Sequence, residues 1–158
     1  MLTSAFLHVD IMPLFFNLFA LFSFGRVLET LFVRSFGFVN GSVYFILIYF
    51  ISLFFGSLFT VIFHYKNPAY VAVGASGAVS GIVFSYILFF PMSTVGFFFI
   101  PMPAFVFALL YVGASIYGMK TRFGNIGHEA HLGGAIGGVL ATLILIEGAF
   151  RILIGHFI

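Results

Sequence analysis

From position 43 to position 63 the chain carries no charged residue, and nearly every side chain there is apolar. A helix crosses the roughly 30 Å hydrocarbon core of a bilayer with about 20 apolar residues, so this run is long enough to span one. Four more stretches read the same way, at about 11–32, 70–90, 103–119 and 129–146, the last extending toward 154. Only 6% of the 158 residues are charged and 63% are hydrophobic, against about 25% charged in water-soluble domains. Such a chain has no means of building a polar outer shell, so its surroundings are lipid. The apolar runs extend over the whole length, which excludes a cleavable signal ahead of a soluble body.

The remaining composition removes function classes. There is no cysteine, hence no disulfide or thiolate chemistry. The net charge of +2 rests on six Lys and Arg with no basic cluster, so no nucleic-acid partner is expected. Charge does not orient the spans either. Arg26, Arg34 and Arg151 collect on one side, and Lys66, Lys120 and Arg122 on the other, a tie under the positive-inside rule.

Punctuation along the chain is consistent with one domain over 1–158. Asp10 is placed to cap the first helix, with Pro13 in the first turn, where a missing N–H costs little. Arg26 and Glu29, three apart, are spaced to pair. A polar break at 64–68 ends the second span. In the third, the spacing predicts a helix of about 15 residues from Ser76, entered through a non-helical stretch at 67–75 that protein or water must cover. The Pro-rich link at 91–103 reads as a re-entrant or interfacial loop.

Polar groups at membrane depth are costly and are functional candidates by default. Asn17, Ser76, Ser80 and His131 stand out. Asn17 is either interhelical glue or an amide donor. Ser76 and Ser80, in "GASGAVSG", are either packing residues or contain a nucleophile. His131 carries more weight. Gly134 and Gly138 follow it on one helical face, and Gly77 and Gly81 form a small-xxx-small pair in the third span. If the two glycine faces meet, Ser76 and His131 come to matching depth on adjacent helices, and a serine beside an imidazole is the minimum activated nucleophile. "HEAH" at 128–131 is a decoy. The zinc-protease signature needs its histidines at i and i+4; these lie at i and i+3, with no third ligand nearby. Glu129, two residues from His131, points away on a helix, leaving a Ser–His dyad without a third acid. No metal and no cofactor are expected.

These motifs resemble the rhomboid intramembrane serine proteases. "GASGAVSG" is similar to the family's G-x-S-G motif, which implies Ser76 as nucleophile. "AHLGGAIGG" is similar to its A-H-x-x-G-x-x-x-G helix, which implies His131 as base. "FLHVDIMPLFFNLFALFSFG" resembles its second transmembrane helix, where Asn17 falls at the oxyanion position, and "FFPMSTVGFFFIPMPA" resembles the link before its fifth. The resemblance implies an all-α polytopic bundle with a water-filled cavity open to the outer face. It also implies an N-terminus outside and a C-terminus in the cytoplasm. Five spans are visible, and the chain starts where the family's second helix should, as in a truncated form lacking the first helix or a misassigned reading frame.

Two positions depart from the pattern. The family usually has His four residues before the Asn; here it is Pro13, with His8 further upstream. Four residues after the serine the family often has an aromatic that packs on the catalytic histidine; here it is Ser80. The expectation is a slow serine protease that cleaves transmembrane segments of membrane proteins in the lipid bilayer, located in a bacterial cytoplasmic membrane. The alternative is a catalytically impaired rhomboid-like protein that binds such segments. A small transporter or channel fits less well, because the spans lack the paired ionisable residues of an ion pathway.

Overall fold

The computed structural model describes residues 11–66, 75–97, 100–121, 127–156 and 158. Within them the chain is a bundle of helices with one small β-hairpin. Helix α1 (Ile11–Ala20) continues through a π-helical turn (Leu21–Gly25) into α2 (Arg26–Phe36) as one 26-residue apolar rod. Helix α3 (Phe38–His64) follows, then α4 (Ser76–Phe89), the strands β1 (Thr94–Phe97) and β2 (Ile100–Pro103), and α5 (Ala104–Thr121), α6 (His128–Leu145) and α7 (Ala149–Gly155). The Ile11–Phe36 rod, α3, α5 and α6 are long and apolar enough to cross a membrane. Helix α4 has 14 residues, about 21 Å at 1.5 Å per residue, too short to span the hydrocarbon core alone. Its start at Ser76 and its shortness match the spacing in the sequence; the entry at 67–74 and the Asp10 cap lie outside the described residues.

The outer surface is apolar, as lipid requires. Ile11, Phe22, Leu109 and Ile144 are exposed. The shared core is built from Leu28 and Phe32 of α2, Ile48 of α3, Ile82, Leu88 and Phe89 of α4, and Ala141 of α6. Helix α4 sits in the middle of it, and most of its residues are buried.

Lipid tails are as apolar as leucine, so the hydrophobic effect does little to hold one helix against another. Close packing does it instead. The two glycine faces anticipated from the sequence do meet. A Cβ at Gly134 would collide with the Gly77 carbonyl, and one at Gly138 with the backbone of Gly81. The other side of α6 presents Gly133 and Gly137 to α3, under Phe55 and Phe59. Helix α6 is thus wedged between α3 and α4 with almost no side-chain spacer. Hydroxyls stitch the α4–α6 seam: Ser85 Oγ lies 3.1 Å from the Gly138 carbonyl, and Thr142 Oγ1 lies 2.8 Å from Ser85 Oγ.

Three local expectations need correction. The 91–103 link is a two-stranded antiparallel hairpin, with Thr94 opposite Pro103 and Phe97 opposite Ile100. Strand pairing satisfies its backbone polar groups internally, which a loop against lipid cannot do. It is fastened at its base, where the Ala104 and Phe105 N–H groups donate to the Ser93 and Pro91 carbonyls at 2.9 Å each. Arg26 and Glu29 do not pair; among the described residues the one salt bridge lies elsewhere, and the Arg26 guanidinium lies over the Phe22 ring, 5.7 Å from its centroid. The last helix does not run to 154 unbroken. Gly148, in the left-handed region at φ 82°, turns the chain into α7, a conformation that glycine adopts without steric cost.

The glycine seam makes a specific prediction. Gly138→Val should force α4 and α6 apart and destabilise the bundle by about 1–3 kcal/mol or more. Gly113→Ala on α5, where an added Cβ meets nothing within 4 Å, should be neutral or stabilise by up to about 1 kcal/mol through helix propensity. Thermal unfolding of both variants in detergent checks the contrast.

Candidate active site

Three backbones converge at one level of the bundle. A Cβ on Gly56 of α3 would lie 2.8 Å from the Ala130 carbonyl of α6 and 3.4 Å from Gly77 Cα of α4. A Cβ on Gly77 would lie 3.0 Å from the same carbonyl. Ser76 directly precedes Gly77 and His131 directly follows Ala130. The glycine crossing therefore holds Ser76 and His131 at one level on neighbouring helices, both half-buried. Among the described residues no hydrogen bond joins the two side chains. Ser76 is the first residue of α4, and first-turn N–H groups have no partner within their own helix.

Asn17 is half-buried on α1, and α1 touches α4. The π-helical turn after α1 carries Leu21 and Phe24 into the same apolar cluster as Val79 and Val83 of α4, and the Phe24 ring meets Tyr86 edge-on at 5.0 Å. Pro13, one turn before Asn17, is exposed. His8 lies outside the described residues.

Two features around this level were not read from the sequence. The first is Tyr111 of α5. Its ring centroid lies 5.9 Å from that of His131, at an interplanar angle of 35°. Its hydroxyl lies 2.5 Å from Ser80 Oγ, and Ser80 Oγ donates to the Ser76 carbonyl at 2.7 Å. Nothing in the sequence distinguishes Tyr111 from the other aromatics of its span; only the folding of α5 over α4 and α6 selects it. The second is a hydrogen-bonded pair. His64 Nε2, at the end of α3, lies 2.8 Å from Glu129 Oε1 in the first turn of α6. The Glu129 side chain is buried and turned toward α3 and away from His131, as helical geometry required. His128 packs instead on α5, where a Cβ at Gly118 would strike its imidazole. Among the described residues no cluster of His, Cys, Asp or Glu has a metal-binding arrangement.

Comparison with known proteins matches the sequence to a family. The rhomboid domain profile covers residues 1–148. The chain belongs to the rhomboid family. It is 32% identical over 96% of its length to RHOMBOID-like protein 12, mitochondrial, of Arabidopsis thaliana, and 34% identical over 87% of its length to Rhomboid protein 1, mitochondrial, of Saccharomyces cerevisiae. These alignments cover 47% and 39% of those proteins, so the chain spans less than half the length of either relative. No solved structure gives a significant match. The rhomboid chain is a multi-pass integral membrane protein, with spans in the order the motifs imply. Both relatives are named as mitochondrial, which lends no support to the bacterial cytoplasmic membrane expected from the sequence.

The His64–Glu129 pair ties α3 to the helix start one turn before His131. His64→Ala removes a hydrogen bond from a buried carboxylate. It should lower stability by about 1–3 kcal/mol, read as a lower melting temperature in detergent. His64→Gln, which keeps a donor, should recover part of the loss.

Proposed function

We propose that this rhomboid chain is an intramembrane serine protease that hydrolyses peptide bonds in or near transmembrane segments of other membrane proteins. The carrying observation is the convergence of Gly56, Gly77 and Ala130, which sets Ser76 and His131 on facing helices at a common level. Relatives named as rhomboid proteins support the same reading.

In this reading the neutral His131 imidazole takes the Ser76 hydroxyl proton as Oγ attacks the scissile carbonyl. Nucleophile–base contacts are commonly loose until substrate is in place. The new C–O bond leaves a tetrahedral oxyanion. The Ser76 backbone N–H and the Asn17 amide are its donors, aimed where charge develops. The C–N bond then breaks. The imidazolium returns its proton to the leaving amine, and an acyl ester remains on Ser76. Water adds to that ester, giving its proton to His131. Collapse breaks the ester C–O bond, the proton goes back to Ser76 Oγ, and the second product leaves as a carboxylic acid that gives up its remaining proton to water. No metal or cofactor enters these steps.

Three substitutions test the assignment. Ser76→Ala should abolish both cleavage of a transmembrane reporter and labelling by a fluorophosphonate probe; labelling that persists would transfer the role to another hydroxyl. His131→Ala should abolish cleavage, while His156→Ala should not, because His156 bonds the Phe89 carbonyl at 3.0 Å at the far end of α4.

Pro13→His addresses the oxyanion site. Pro13 is exposed in the first turn of α1 and one turn from Asn17, so a histidine there adds a donor on the same helical face without breaking the helix. One oxyanion donor is typically worth about 10²–10³-fold in rate, and the variant should cleave faster than the natural chain by up to that factor. An unchanged rate would mean the donor set is already complete.

A further inference from the structure

We infer that Tyr111 is a positioning residue for His131, supplying from α5 a ring that lies along the imidazole, where its own helix offers an edge contact from His128, and holding it toward Ser76. The inference rests on the dyad reading above and adds a third helix to it.

Beyond His131, its face of α6 has been stripped of side chains. One turn further along that face is Gly134, and two turns along is Gly138. Both are glycine because α4 backbone presses against them. The same close packing that brings α4 to α6 therefore leaves no side chain beyond the imidazole on that face; on α6 it meets the His128 ring, one turn back, edge-on at 6.4 Å between centroids. A base must point its acceptor nitrogen at the nucleophile, and a misplacement of about 1 Å costs on the order of a hundredfold in rate. Restraint beyond that edge contact has to come from another helix. The Tyr111 ring lies on the imidazole at 5.9 Å between centroids.

Tyr111 is itself held at both ends. Phe84 of α4 and Phe107 of α5 flank its ring at 5.4 and 5.8 Å. Ser80 donates its proton to the Ser76 carbonyl, so its oxygen is left to accept from the Tyr111 hydroxyl. This relay of hydroxyls ties the residue that restrains the base to the first turn of the helix that carries the nucleophile. It also gives Ser80 a purpose. A small hydroxyl at that position leaves room for the ring that arrives from α5 and satisfies its phenol, where an aromatic at position 80 would compete for the same space.

The test uses the full chain in detergent or liposomes and a transmembrane reporter, with kcat and KM measured separately. Tyr111→Leu should lower kcat by about tenfold to a hundredfold with KM little changed. Tyr111→Phe keeps the ring and gives up only the Ser80 hydrogen bond, and should lose about threefold. Adding Ser80→Tyr to Tyr111→Leu offers a ring from α4 to the vacated space and should restore at least tenfold of the lost kcat. A role confined to packing would not give that recovery. Should Tyr111→Leu not fold, Tyr111→Met, flexible enough to fill the gap, carries the same comparison. Equal kcat for Leu, Met and Phe variants, or a double variant no faster than Tyr111→Leu, would overturn the inference while leaving the dyad intact. Absence of any Ser76-dependent cleavage by the natural chain would overturn the dyad reading and this inference with it.

Discussion

Backbone contact between α4 and α6 is the constraint on which the rest of the bundle depends. In a bilayer the interior of a protein is no more apolar than its exterior, and helices associate through packing and a few hydrogen bonds. Gly77 and Gly81 on one side, and Gly134 and Gly138 on the other, let two helix backbones touch. Gly133 and Gly137 repeat the arrangement toward α3. Helix α6 is therefore gripped from two directions by atoms that cannot move without moving a whole helix. A short α4, buried along most of its length, survives at the centre only because its neighbours enclose it on these terms.

Polar groups in the spans follow the same economy. Ser52, Thr60, Ser85 and Thr142 are buried, and each hydroxyl bonds a carbonyl one turn back on its own helix. Ser85 and Thr142 also reach across the seam to one another. Two departures from this pattern carry a longer reach: the hydrogen bond of His64 with Glu129, which joins α3 to α6, and the Tyr111–Ser80 contact, which joins α5 to α4. Both lie at the level of Ser76 and His131. The end of the bundle that carries the candidate chemistry thus adds side-chain polar contacts to glycine packing, as Ser85 and Thr142 do further along the seam.

Helix α5 contrasts with α6. Its outer face exposes Leu109, Leu110, Ile116 and Tyr117, and its buried residues are few. It approaches the candidate site through particular side chains, Tyr111 above all, together with Gly118 under His128. A helix attached by discrete side-chain contacts tolerates adjustment more readily than one attached by continuous backbone contact, since rotamers shift at lower cost than close-packed backbones do.

Sequence alone determined the solvent. A chain with so few charges and such long apolar runs must live in lipid, because hydrocarbon and water reject opposite side chains whatever the fold. It also determined the helix starts that matter, including Ser76, and the two glycine faces, since spacings of three and four residues fix a helical face before anything packs on it. Longer-range partners were decided by tertiary structure. Pro and Gly at 91–103 marked a break in helix, but whether the break pairs with itself as a hairpin depends on what covers its backbone polar groups. Arg26 and Glu29 had a pairing distance, yet Arg26 settled over Phe22. Ser80 read as a missing aromatic beside the histidine, and the ring came instead from Tyr111, in another span. Local periodicity says which way a residue faces. Which residue faces it from another helix is fixed only when the helices have chosen their neighbours.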